Sequence, residues 1–151
     1  MDEALRVVAV HEALTISAMP DDALFARMAQ EGYRVVVSLS ESIDTRYRPD
    51  EDAAVTGLGM HYFHLPVDFT NPQVDDYEWL RDVLNALFPR KVWLHCAQNK
   101  RASGMIYLYN ILERGMEPRT ARALMESIWQ PDAAWEALFA VVMEKHAYQY
   151  L

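Results

Sequence analysis

Residues 103–112 constrain the fold more than any other stretch of the chain. Met105, Ile106, Tyr107, Leu108, Tyr109, Ile111 and Leu112 leave almost no polar stripe for solvent. A helix that is apolar all round has to be covered on every side, which requires a layered fold with a core large enough to enclose it. Just upstream, residues 91–95 read as a short apolar strand. Between strand and helix stand Cys96, Ala97, Gln98, Asn99, Lys100, Arg101 and Ala102. That order presents a thiol and a set of backbone N–H groups to an anion, because the N-terminus of a helix carries positive partial charge and unpaired donors. The same field favours the thiolate, the nucleophilic form of cysteine. Asn99 stands where the loop must turn, and asparagine is one of the few non-glycine residues that tolerate a left-handed backbone. Arg101 offers a planar fork suited to phosphate-like groups.

The remaining segments alternate between strand and helix patterns. Residues 14–17 read as a strand. Asp21 or Asp22 caps a helix carrying Leu24, Phe25 and Met28 on one face and closing at Gly32. Residues 33–39 are a continuous β-branched run, the pattern of a strand covered on both faces. Residues 41–59 are polar and hold a loop and a short helix ending near Gly57. A third strand over 60–65 stops at Pro66, and residues 67–72 form a loop. Val74, Tyr77, Leu80, Leu84 and Leu87 make a helical stripe across 73–88. Pro118 opens a further helix to about Trp129, and Asp132 caps a last one to about Tyr148. Residues 3–10 fit either a short helix or an edge strand. The expected fold class is therefore α/β, a mostly parallel sheet of four or five strands flanked by helices. Ligands of such sheets bind beyond the carboxyl ends of the strands, where Cys96 and Asp68 both fall, so their loops are expected to converge.

His95, Cys96, Ser103 and Gly104 are in register with H-C-x-x-G-x-x-R-[ST]-G, and the loop resembles the signature of the protein tyrosine and dual-specificity phosphatases. Asn99 replaces the glycine. The arginine of that signature falls on Ala102, and Arg101 comes one residue early, at the spacing of rhodanese sulfurtransferases. Ile16-Ser17-Ala18-Met19-Pro20, the run from Val35 to Leu39, and His64-Leu65-Pro66-Val67-Asp68-Phe69 with Asn71-Pro72 resemble a group of bacterial phosphatase-like proteins of once-unknown function. Loops of the form H-C-A-x-N-x-R-x-S occur in that group. The resemblance spans about residues 14–140 and implies a small dual-specificity-like phosphatase. In it, Cys96 attacks phosphorus, and the amides of Ala97, Gln98, Asn99, Lys100, Arg101 and Ala102, with the Arg101 guanidinium, hold the oxygens. Asp68 protonates the leaving group and then activates water. Ser103 hydrogen-bonds the thiolate, caps the helix, or does both. His95 orients the loop or is a satisfied core histidine. One helical residue is about 100° of rotation, so Arg101 leaves from a different face than the signature arginine. Losing such a donor costs about 3–4 kcal/mol of transition-state stabilisation. Two rivals follow: an impaired phosphate-binding pseudophosphatase, and a rhodanese-like sulfurtransferase with a persulfide on Cys96.

Length and composition bound the rest. The 151 residues, 52% apolar and 24% charged, suit one soluble domain. No apolar run is long enough to span a bilayer, and the acidic Met1-Asp2-Glu3 is unlike a secretory signal. One cysteine permits no internal disulfide and points to the cytoplasm. A net charge of −8 without a basic run argues against nucleic acid and leaves a phosphate-containing small molecule or phosphoprotein as partner. His11, His61, His64 and His146 show no metal-ligand spacing with Cys96, so neither metal nor other cofactor is expected. Trp79, Trp93, Trp129 and Trp135 are expected in the core. The sequence carries no signal for oligomeric state.

Overall fold

Two runs of β-branched and large apolar side chains, Val35–Ser38 (β3) and Val92–His95 (β5), pair in parallel and are buried along their whole length. They form the middle of a sheet in the computed structural model, which describes residues 5–146. The other strands are Val8–His11 (β1), Leu14–Ser17 (β2) and His61–His64 (β4). The strand order is β1-β2-β5-β3-β4, with only β1 antiparallel to its neighbour. The α/β expectation holds, and residues 8–11 resolve as an edge strand rather than a helix.

Among the described residues six helices cover the sheet: Asp22–Gln30 (α1), Glu51–Thr56 (α2), Val74–Leu87 (α3), Lys100–Leu112 (α4), Pro118–Glu126 (α5) and Ala133–His146 (α6). Strand residues alternate between two apolar layers. Val35, Val37, Val92 and Leu94 face a core shared with α3, α4, α5 and α6, while Val36 and Trp93 face Leu24, Phe25, Met28 and Val55 of α1 and α2. In α4 every residue from Arg101 to Leu112 is buried, as its composition requires. No described helix is long and apolar enough to cross a membrane.

Several elements depart from their expected bounds or burial. Of the two candidate caps, Asp21 is used: its carboxylate accepts the Leu24 amide at 2.8 Å. Helix α4 starts at Lys100 and not at residue 103, because Asn99 takes φ 64° and turns the chain into the helix at once. Helix α5 ends at Glu126, short of Trp129. The expected end of the last helix near Tyr148 lies outside the described residues. Trp93 and Trp135 are core and Trp129 is half-buried, but Trp79 is 66% exposed on the outer face of α3.

Gly104 sets the spacing between α4 and α6. A Cβ there would stand 2.8 Å from two ring atoms of Trp135, which is fully buried. Trp135 in turn donates its indole N–H to the Phe69 carbonyl at 2.9 Å. Alanine gains about 1 kcal/mol of helix propensity over glycine, but overpacking a rigid buried ring costs about 1–3 kcal/mol. Gly104→Ala is therefore expected to lower stability by up to about 2 kcal/mol net, read as a lower urea midpoint at unchanged slope. An equal or higher midpoint would show that the α4–α6 contact yields freely.

Candidate oxyanion site

The crossover from β5 to α4 takes only Cys96, Ala97, Gln98 and Asn99. Asn99 makes this possible: it is fully buried in the left-handed conformation, and its Nδ2 donates to the Arg6 carbonyl at 2.8 Å. The loop carbonyls are drawn away by outside donors. That of Ala97 accepts from the Met19 amide at 3.2 Å and from Arg46 Nη1 at 3.5 Å, and that of Gln98 accepts from Arg6 Nη1 at 3.2 Å. The amides of residues 97–101 take no partner among the described residues. Cys96, Ala97, Gln98, Lys100 and Arg101 line a cavity of about 170 Å3, together with Asp44 and Phe69. Unpaired main-chain donors beside a helix N-terminus are costly unless an acceptor meets them, and the acceptor they suit is an anion.

Cys96 is 1% exposed and lines this cavity. The Ala102 amide donates to the Cys96 sulfur at 3.4 Å. Of the six amides expected to hold the anion, that of Ala102 is thus committed to the sulfur, which leaves five. Ser103 does not reach the thiol. Its hydroxyl donates to the Lys100 carbonyl at 3.1 Å, a local bond within the first turn of α4.

His95 is fully buried, and its Nε2 pairs with the Glu51 carboxylate. Its Nδ1 lies 3.4 Å from the Cys96 carbonyl, so the ring sits under the loop and ties it to α2. Glu51 is buried as well and accepts from the Tyr62 hydroxyl at 3.3 Å. Burial, and then the Glu51 charge, push the Tyr62 phenol well above its ordinary value and keep it a neutral donor. Sequence reasoning missed Glu51 because it stands in an acidic run. The one available signal was its i,i+4 spacing to buried Val55.

Arg101 lines the cavity, but much of its fork is engaged. Nη1 donates to the Val67 carbonyl at 3.0 Å, and Nη2 donates to Asp44 Oδ2 at 2.6 Å. Glu41 Oε1 lies 3.9 Å from Nη1. Asp44 and Glu41 carried no sequence signal beyond a polar loop. Lys100 Nζ stands 5.9 Å from the ring centroids of both Phe69 and Trp129.

The Asp68 loop does converge on the cysteine loop, through Phe69 and the Val67 carbonyl. The Asp68 carboxylate itself is exposed and turned aside. Its Oδ1 accepts from the Thr70 hydroxyl at 2.7 Å and the Thr70 amide at 2.9 Å. These bonds, with the Arg101 charge adding less, hold Asp68 below the ordinary carboxylate range. Among the described residues no cluster of His, Cys, Asp and Glu could hold a metal ion.

No family model matches the sequence. A beta-lactamase hydrolase-like protein of Xylella fastidiosa (strain 9a5c) is 27% identical over 123 residues, which is 80% of this chain. The chain spans only 28% of the length of that curated relative. Among solved structures, TpbA of P. aeruginosa superposes with a TM-score of 0.79 at 18% identity, over the whole of this chain and 94% of the other, a likeness of fold. A DUF442 protein of Shewanella putrefaciens CN-32, provisionally described as a phosphatase, superposes with a TM-score of 0.83 at 31% identity, covering 93% of this chain and 92% of the other. The chain has the cysteine-phosphatase fold and belongs to the DUF442 family of phosphatase-like proteins.

Proposed function

We propose that the protein is a cysteine-dependent phosphatase that hydrolyses phosphomonoesters through a phosphocysteine. The observation that supports it most is the row of five unpartnered amides, residues 97–101, beside a sulfur in a cavity large enough for a phosphoryl group. In the first step the Cys96 thiolate attacks phosphorus and the ester P–O bond breaks. Asp68 gives its proton to the departing oxygen. In the second, water attacks the phosphocysteine, Asp68 takes a proton from it, and the S–P bond breaks to release phosphate and thiolate. The free amides and Arg101 stabilise the equatorial oxygens in both steps. His95, held by Glu51, is a positioning residue for the loop. No step needs a metal or other cofactor.

Turnover should be slow. Arg101 is shared with Asp44 and Val67, and Asp68 is ionised near neutral pH, so the proton donor is scarce there. We read all 151 residues as one phosphatase-like domain working in a reducing cytoplasm, where a lone cysteine stays free. TpbA has been solved with phosphotyrosine, and a phosphorylated protein or small phosphoester is the class of substrate we assign here.

Cys96→Ser is expected to cut hydrolysis of p-nitrophenyl phosphate at least about a thousandfold while tungstate still binds. Retained hydrolysis would remove the phosphocysteine, and thiocyanate formation from thiosulfate and cyanide by wild type would replace phosphatase with sulfurtransferase. Arg101→Ala should lower kcat/KM by about 100- to 1,000-fold, the loss of one oxyanion donor. An unchanged value would mean that the guanidinium serves Asp44 alone.

The pH dependence has a definite sign. A depressed Asp68 is protonated only toward acid, so kcat/KM should fall with rising pH along a limb lying below the ordinary carboxylate range. Thr70→Val removes the hydroxyl bond, the largest of the contacts that favour the ionised form, and should move that limb to higher pH. A limb that stays in place would take the general-acid role away from Asp68.

A further inference from the structure

Asp44 shares the cavity with Cys96, and its carboxylate stands among the groups that would meet an entering anion. Its Oδ2 lies 2.6 Å from Arg101 Nη2. The same oxygen accepts the Glu41 amide at 2.9 Å, so the carboxylate is held from a second side. Both acidic residues come from the loop that follows β3. The Arg101 side chain is 5% exposed and that of Asp44 is 16%, so solvent and salt screen the pair poorly.

The formal charges around the cavity decide what it can hold. With Cys96 as thiolate, the lining side chains carry two negative charges, Cys96 and Asp44, and two positive ones, Lys100 and Arg101. They cancel, and Glu41 adds a further negative charge 3.9 Å from the guanidinium. Arg46 and Arg6 hydrogen-bond the loop from outside through its carbonyls, and both are exposed and screened. The compensation left for a ligand is the set of free amides and the start of α4, equivalent to about half a positive charge. Such a site pairs well with one negative charge and poorly with two.

We infer that Asp44 is a specificity-determining residue that tunes the cavity toward singly charged tetrahedral oxyanions, the monoanion of a phosphomonoester being the substrate form it would take. The inference rests on the cavity being the oxyanion site proposed above. Perrhenate and tungstate test it, because both are tetrahedral, are similar in size, and carry one and two negative charges. Each would be titrated calorimetrically into the full chain near neutral pH. Wild type should bind perrhenate at least as tightly as tungstate. Asp44→Asn should shift the ratio of affinities toward tungstate by about tenfold or more, since a unit charge a few ångströms away has been removed. Glu41→Gln should shift it the same way by less, and keeps the test usable if Asp44→Asn does not fold. A wild type that prefers tungstate tenfold, or variants with an unchanged ratio, would overturn the role of Asp44 while leaving the site intact. Wild type that binds neither anion would overturn the site itself.

Discussion

The left-handed turn at Asn99 is the constraint on which the site depends. A strand and a helix joined by four residues have no slack, so one of them must adopt a backbone that most side chains avoid. Asparagine bears that conformation at low cost, and here its amide also bonds the Arg6 carbonyl, which ties the loop to the segment before β1. The turn has two consequences. It starts α4 at Lys100, so the helix dipole begins beside the sulfur. It also leaves the loop amides without main-chain partners while the carbonyls find theirs outside. A glycine could make the same turn, but it would lose the bond to Arg6 and free the loop to adopt other shapes.

The elements with strong periodicity were legible in the sequence. The valine run of β3, the apolar stripe of α3 and the apolar residues of α4 fall in a strand and helices as the pattern requires, because burial on one face, or on all faces, leaves a direct trace in residue order. The fold class followed from their alternation. What stayed hidden was chosen by long-range contact. Glu51 looks like any exposed acid in a polar run until α2 lays it against His95. Asp44 looks like a loop aspartate until Arg101 reaches it. Trp79 was expected inside on hydrophobicity alone, yet it lies on the outer face of α3, off the stripe that contains Tyr77, Leu80 and Leu84. The candidate loop was readable as a unit because its chemistry is local. Its partners were not, since their sequence separations from it are large.

The displaced arginine gains an explanation from these partners. Leaving α4 one residue early, the Arg101 side chain emerges on a different face than an arginine at position 102 would. Its fork is then steered by Asp44 on one arm and the Val67 carbonyl on the other, both on loops at the carboxyl edge of the sheet. Ala102, at the position of the signature arginine, is fully buried and contributes only its amide, which goes to the sulfur. The chain thus takes a main-chain donor to sulfur from Ala102 and a guanidinium arriving from the side from Arg101. The lateral approach is what brings a carboxylate into the cavity with it.

Gly104 and Trp135 connect this local chemistry to the far layer of the fold. With no Cβ at Gly104, the indole of α6 can lie against α4 and still reach over to hold the Phe69 carbonyl. Phe69 lines the cavity and follows Asp68 directly, so the position of the Asp68 loop depends on a helix 66 residues further along the chain. Lys100 completes the arrangement by placing its ammonium over Phe69 and Trp129, where the ring faces favour a cation. The Asp68 loop is therefore fixed at its backbone and at its aromatic residue, while the exposed Asp68 carboxylate is held chiefly by Thr70. On the proposed mechanism, motion that delivers a proton has to come from that side chain, because the packed indole holds the Phe69 backbone.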